Sequence, residues 1–327
     1  MKNILMKRAT ALALAAALVS SSSASALFGK KQAEPEEGAP VAREIEIRTY
    51  RGIPYQAQFQ ASDSEGEDMT FAVADQPRKG TVTVDGANFT YTPDEGLTGG
   101  DSFTYTATDS GGRVSQPATV TVTIEKTRSG VTYADTGNSA AAAAAQELAE
   151  AGIFTGTKIG ERYCFEPDKP VSRSEFLAMV LETAGREVTD VTMTGFCDDA
   201  SIPVWAKAYA AAGVSEGIVQ GKTTPEGAAF QGEDAITFNE AAAVLDRTLD
   251  LGDVELDVWY ADREEVPSWA AQAVGNMEAV SVLAAGSFGS ADMEQVVTRA
   301  DAAQMLCAAR TLLEGEKDSG GLFGWLH

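Results

Sequence analysis

One spacing constrains this chain more than any other feature. An aromatic-x-Asp triplet occurs three times, at Tyr133-Ala-Asp135, Phe196-Cys-Asp198 and Tyr260-Ala-Asp262, with the aspartates 63 and 64 residues apart. Gly152-Ile153, Gly217-Ile218 and Ser281-Val282 follow at intervals of 65 and 64. Ser172-Arg-Ser-Glu175, Thr237-Phe-Asn-Glu240 and Thr298-Arg-Ala-Asp301 complete the series at intervals of 65 and 61. Three landmarks in one order, three times over, mean a single unit of about 64 residues repeated along the chain.

Each third landmark opens a helix. A Ser or Thr N-cap with an acid three residues later lets each side chain satisfy a backbone N–H at the other's position. The apolar positions that follow keep helical spacing: Phe176, Met179 and Val180, then Ala243, Val244 and Leu245, then Ala303, Met305 and Leu306. A first helix runs up to the Gly-Ile position, over 139–151 and 204–215. The predicted unit is helix, Gly-rich loop, capped helix, so this part of the chain is expected to be all-α.

The preceding segment has a different texture. Seven short runs, 45–48, 55–61, 69–74, 80–84, 88–92, 102–109 and 118–124, are rich in Val, Thr, Tyr and Phe, and several alternate strictly. Asp85-Gly86 suits a tight hairpin turn. Seven alternating strands within about 85 residues describe a β-sandwich. The three cysteines, Cys164, Cys197 and Cys307, all lie further on, so this core holds without a disulfide. Asp63, Glu65, Asp68 and Asp109 bring carboxylates to one end of the sandwich, either as Ca²⁺ ligands or as solvated turn acids.

Composition removes several function classes. The 327 residues carry 25 Lys+Arg against 48 Asp+Glu, a formal net charge of -23, which argues against phosphate-backbone binding to nucleic acid. The one histidine is His327, so neither a Ser-His-Asp site nor a His-based zinc site is expected. The cysteines match no metal motif; 164 with 197 is the nearer pair for a disulfide, and three small apolar thiols is the alternative. Residues 1–26 have the pattern of a secretory signal: Lys2, Lys7 and Arg8, an apolar stretch over 9–19, and Ala24-Ser25-Ala26 as the cleavage site. Export removes three cations and leaves a chain with a charge of about -26 and no membrane span. A polar linker, 27–40, and a short tail, 314–327, flank the domains. No cofactor is expected.

Two resemblances follow from these residues. Gly80-Thr-Val-Thr-Val84, Phe89-Thr-Tyr-Thr-Pro93, the stretch Gly99 to Asp109 and Thr119-Val-Thr-Val-Thr-Ile124 resemble bacterial immunoglobulin-like and cadherin-like repeats. The repeats from 132 to 313 resemble S-layer homology domains. The matching residues are Trp205-Ala206, Trp269-Ala270, Gly152-Ile-Phe-Thr-Gly156, Gly217-Ile-Val-Gln-Gly221, Phe165-Glu-Pro167, Ser172-Arg-Ser-Glu175 and Thr298-Arg-Ala-Asp301. The implied organisation is an immunoglobulin-like β-sandwich at 41–126, then repeats at 131–190, 194–254 and 258–313 forming a pseudo-threefold bundle.

The second resemblance implies a non-catalytic cell-wall anchor that binds a secondary cell-wall polysaccharide, often pyruvylated, or another peptidoglycan-linked polymer. The sandwich then serves as spacer or adhesion module, with a surface protein as its partner. Arg173 and Arg299 at helix starts are expected to point donor forks outward at a carboxylate. Trp205 and Trp269 would offer faces to a sugar ring, with Asp198, Asp262, Gly156 and Gly221 beside them. The aspartates have a second reading, capping the turn before each first helix. The pattern is incomplete: Ala140 stands at the first Trp position, Phe238 at the second Arg position, Ser281 at the third turn Gly. Fewer than three working grooves are expected. Arg173 with Asp198 and Trp205 is best preserved if a groove joins consecutive units, Arg299 with Asp262 and Trp269 if it lies within one. Two other readings stay open: a structural S-layer-type assembly protein whose degenerate repeats no longer bind polymer, and a carboxylate-based glycan hydrolase.

Overall fold

A computed structural model of the chain describes residues 38–66, 68–137, 139–256, 266–283 and 293–319. The expected signal segment, nearly all of the linker, Asp262 with its triplet, and the end of the tail lie outside the described residues. Two compact bodies are distinguished, one reaching Gly130 and including Gly137–Gln146, the other holding Val131–Thr136 and the chain from Glu147 onward.

The first body carries nine strands. In order they are β1 Val41–Ala42, β2 Ile45–Tyr50, β3 Tyr55–Gln58, β4 Ala61–Ser62, β5 Thr70–Asp75, β6 Gly80–Asp85, β7 Asn88–Pro93, β8 Gly99–Thr108 and β9 Ala118–Glu125. A four-stranded sheet runs β2-β9-β8-β5 and a three-stranded sheet runs β3-β7-β6; the short β1 pairs β4. Strand β2 lies parallel to β9, with Ile45 opposite Val120, while the other pairs are antiparallel. The expected run 55–61 is broken into β3 and β4, and Phe59 between them turns into the core at 5% exposure. Alternation sets the rest: Ile45 and Ile47, Phe89 and Tyr91, Phe103 and Tyr105, and Val120, Val122 and Ile124 point inward. The Phe59 ring stacks on Phe89 at 4.7 Å and on Tyr105 at 4.5 Å, tying the two sheets together. Such pairs add about 0.5–1.5 kcal/mol beyond their buried area.

Tyr105 closes one end of this core. Its hydroxyl lies 2.6 Å from the carbonyls of both Arg43 and Gln60 and also accepts from their N–H groups at 3.2 and 3.3 Å. Nearby, the candidate cation ligands take a different arrangement. Arg113 donates to Asp109 at 2.6 Å and to Glu65, and Asp63 accepts from the Glu65 N–H at 2.8 Å. A guanidinium thus holds two of these acids, and among the described residues no group of three or more acids, Cys or His is placed to hold a metal.

The second body corrects the all-α expectation. Helix α1, Ala141–Glu150, which begins within the first body and ends in the second, leads to a hairpin of β10 Thr157–Ile159 and β11 Arg162–Cys164, then helix α2, Arg173–Thr183. Helix α3, Val204–Ser215, leads to a second hairpin, β12 Lys222–Thr224 with β13 Gly227–Ala229, then α4, Phe238–Leu249. A short 3-10 helix, Asp199–Ser201, precedes α3, and helices α5, Ala271–Ala279, and α6, Arg299–Ser319, complete the described elements. The hairpins sit where loops were expected. Their strands are three residues long and largely exposed, so no apolar alternation marks them.

The first helices end alike. In the Schellman pattern the N–H after the helix bonds three residues back and the next N–H bonds five back. Gly152 and Ile153, Gly217 and Ile218, and Ser281 and Val282 all do this. The hinge residue is left-handed each time, at φ 73, 74 and 61°. The capped helices begin alike too. Ser172 with Glu175, Thr237 with Glu240 and Thr298 with Asp301 all form reciprocal capping boxes.

The segments before these caps close a ring. The Val171 N–H donates to the Val297 carbonyl, the Val297 N–H to Ile236, and the Ile236 N–H back to Val171, at 2.8–2.9 Å. All three side chains are at most 1% exposed. Beyond the ring the capped helices converge on an apolar hollow lined by Val180, Leu245, Leu249, Leu306 and Leu313. The cysteines form no disulfide: Cys164 ends one hairpin, Cys197 lies against the other through its N–H bond to the Ala228 carbonyl, and burial, with Glu147 beside it, pushes the Cys307 thiol well up. The 164–197 pairing is not formed.

Candidate functional site

A helix start leaves four N–H groups without intrahelical partners. In α2, Glu175 bonds its N–H to the Ser172 hydroxyl, and the two before it reach out of the helix. Arg173 N–H donates to the Asp234 carbonyl and Ser174 N–H to Gly232, both at 2.9 Å. Helix α6 does the same with the first loop, Arg299 to Lys169 and Ala300 to Pro167. Helix α4 does it with the third, Phe238 to Gln295 and Asn239 to Met293. Each capped helix therefore plugs the loop of the next unit, and the third plugs the first. The N–H groups expected to meet an anion are committed to protein carbonyls.

The arginine side chains follow their backbones inward. Arg173 donates from Nε to the Phe230 carbonyl at 3.0 Å, lies 2.9 Å from the Glu240 carboxylate through Nη1, and sits 5.9 Å from the Phe230 ring. Glu240 is held from its other oxygen by Lys222 at 3.0 Å. Burial opposes ionisation of Glu240, yet Arg173 and Lys222 together hold its carboxyl below the usual range. Arg299 repeats the pattern against the first loop: Nη1 lies 3.1 Å from the Phe165 carbonyl and 2.8 Å from Glu166, Nη2 lies 3.6 Å from Glu175, and the guanidinium covers Phe154 at 5.0 Å. The outward donor fork is corrected by these contacts: the side chains are 11% and 6% exposed.

The aspartates hold the same loops from the far side. Asp198 accepts from the N–H groups of Phe230 and Gln231, both at 2.8 Å, and Asp135 accepts from Phe165 and Glu166 at 2.8 and 2.7 Å. Glu166 and Gln231 are left-handed, with φ of 57 and 53°, which turns successive N–H groups toward one carboxylate. The turn-capping reading is overturned for Asp198, whose side chain makes no cap bond to the short helix that follows it. Arg173 and Asp198 are thus brought together across one residue, Phe230. Arg299 is brought to Asp135 of the first unit across Phe165.

The tryptophans stand elsewhere. Helix α3 runs antiparallel to α2: the Tyr209 hydroxyl donates to Glu182 at 2.7 Å, and a Cβ on Gly213 would lie 3.1 Å from Leu177. Trp205, one turn before Tyr209 and 51% exposed, sits past the far end of α2, about 20 Å along the axis from Arg173. Trp269 is 56% exposed at the start of α5 and makes no hydrogen bond or ring contact with Arg299 among the described residues. Gly156 and Gly221 serve the hairpins. Both are left-handed, and a Cβ on Gly221 would lie 2.8 Å from the Ala229 carbonyl, as one on Gly156 would crowd that of Cys164.

Residues 37–126 match the model of the bacterial cadherin-like domain, and residues 132–177 match that of the S-layer homology domain. No curated protein matches the chain. An endo-fucoidan hydrolase of glycoside hydrolase family 107 is 21% identical over 29% of this chain and 15% of its own length, with a TM-score of 0.24. Fibronectin(III)-like modules of Clostridium thermocellum CbhA are 16% identical over 28% of this chain and 48% of theirs, at 0.21. Titin domain M7 is 14% identical over 28% of this chain and 99% of its own, at 0.18. Scores this low carry no inference. Both matched domains are non-catalytic kinds, S-layer homology domains bind cell-wall polymers, and no described helix is long and apolar enough to cross a membrane. Along the chain, a match to the bacterial cadherin-like domain is thus followed by a match to the S-layer homology domain.

Proposed function

We propose that the chain is a non-catalytic surface protein held non-covalently to a secondary cell-wall polysaccharide through three S-layer homology repeats, 131–190, 194–254 and 258–313, arranged about a pseudo-threefold axis. The cadherin-like domain is the displayed spacer or adhesion module. One observation carries this reading: Arg173 on the Phe230 carbonyl and Glu240, with Asp198 holding the Phe230 N–H, has the same construction as Arg299 on the Phe165 carbonyl and Glu175, with Asp135 holding the Phe165 N–H, each joining two units. The cyclic hydrogen bonds of Val171, Ile236 and Val297 support the threefold arrangement.

The polymer groups this surface suits are a carboxylate, such as a pyruvate ketal, at the arginine clusters and sugar rings on Trp205 and Trp269. Asp198, Gly156 and Gly221 shape the loops beneath; Asp262, the groove residue expected in the third unit, lies outside the described residues. Inward commitment of both arginines is the observation that favours the rival, an assembly protein with non-binding repeats. Sedimentation of the full chain with purified walls decides between them. Binding is expected to be lost when the polysaccharide is chemically removed, and binding that survives its removal overturns the proposal.

A further inference from the structure

The two arginine clusters share one design and differ in one carboxylate. In the Arg173 cluster the groups linked by ion pairs are Arg173, Lys222 and Glu240, two cations and one acid. In the Arg299 cluster they are Arg299, Lys169, Glu175 and Glu166, two cations and two acids. Glu175 and Glu240 are equivalent, since each is the capping acid of its helix and bonds its N-cap N–H. The extra acid is Glu166. Its equivalent, 65 residues on, is Gln231, which has the same left-handed backbone and the same N–H bond to an aspartate, but no charge.

We infer that Glu166 is a built-in competitor that occupies the Arg299 guanidinium, so that of these two clusters only the one at Arg173 accepts a carboxylate from outside. This rests on the wall-polymer reading and says which groove does the binding. The physical argument is exchange. At Arg173 the one tethered acid, Glu240, lies on Nη1 at 2.9 Å, whereas at Arg299 a ligand carboxylate meets tethered acids on both terminal nitrogens, Glu166 at 2.8 Å and Glu175 at 3.6 Å, whose effective concentration far exceeds that of a free anion. Each cluster has one further aspartate on its loop, Asp135 or Asp198, so the charge an incoming carboxylate meets at Arg299 is one unit more negative than at Arg173. The exposures of the two side chains, 6% for Arg299 and 11% for Arg173, differ little, so the extra acid is what separates the clusters.

The test is titration calorimetry of the full chain with a hexose carrying a pyruvate ketal, comparing wild type, Glu166→Gln and Arg173→Gln. Glu166→Gln copies the second loop and gives both clusters the same charge. Wild type is expected to bind one equivalent, Glu166→Gln two, and Arg173→Gln none. Combining Arg173→Gln with Glu166→Gln should restore one. A single equivalent in Glu166→Gln, or two in wild type, overturns the inference while leaving wall binding intact. No binding by any of the four proteins, with the polysaccharide-dependent sedimentation also absent, overturns the anchoring reading and this inference with it.

Discussion

The sandwich and the helical body solve closure differently. In the sandwich, long strands pair along their whole length and two inner faces share one aromatic core around Phe59, so no single polar contact holds the fold together. In the helical body the elements are short. The units meet through a few directional contacts: three ring hydrogen bonds, two N–H plugs per capped helix, and the arginine clusters. Area-based cohesion tolerates loss of one polar group. Closure by a few buried polar contacts does not, because each broken contact strands its partner away from water.

The largest effect is therefore expected at Arg299. Arg299→Ala leaves the Phe165 carbonyl, Glu166 and Glu175 facing a cavity that held a guanidinium. Breaking a buried pair costs about 3–5 kcal/mol; Glu166 is 41% exposed and recovers some water, which puts the loss at about 3 kcal/mol. Denaturant unfolding followed by tryptophan fluorescence reports the helical body, since all four tryptophans lie beyond residue 200. The comparison breaks if the variant unfolds at the wild-type denaturant midpoint.

Tyr105→Phe is the matching probe of the sandwich. It keeps the ring stacked on Phe59 and deletes the hydroxyl between Arg43 and Gln60. Losing a bond to two part-buried carbonyls costs about 2 kcal/mol. Hydrogen exchange at the β8 and β9 amides is expected to speed up accordingly, with the helical amides unchanged. Equal acceleration in both bodies would mean that they do not close independently.

How far these contacts were legible depends on their range. The sandwich strands follow from alternation, because Phe103, Tyr105, Val120 and Val122 reach the core by pleat geometry alone. The capping boxes at Ser172, Thr237 and Thr298 were equally legible, since both partners lie within four residues. The hairpins were not, as β10 and β12 have no buried face to impose a pattern. Nor was the arginines' inward turn, which depends on Phe230, 57 residues from Arg173, and Phe165, 134 from Arg299. The repeat signalled that these positions are equivalent without saying which neighbour each would meet. The charge difference at Glu166 and Gln231 was present in the sequence, but it acquires meaning only once both loops are seen against an arginine.

Ser281 gives the smallest effect and the sharpest check on equivalence. It occupies the left-handed Schellman position that Gly152 and Gly217 fill in the other units, at φ 61° and with the same two hydrogen bonds. A Cβ in this region crowds the following carbonyl, at about 1 kcal/mol for a residue other than glycine. Glycine has more freedom in the unfolded chain and gives part of that back. Ser281→Gly should therefore stabilise the helical body by about 0.5 kcal/mol. Gly217→Ala should destabilise it by a similar amount, about 0.5 kcal/mol, because its Cβ would meet nothing within 4 Å and the penalty of the backbone angle is partly offset by the stiffer unfolded chain. Both shifts are readable as changes in the denaturant midpoint at constant slope. A loss on Ser281→Gly would mean that the third helix end is not a relaxed copy of the other two, and that its serine is kept for a contact the glycines do not make.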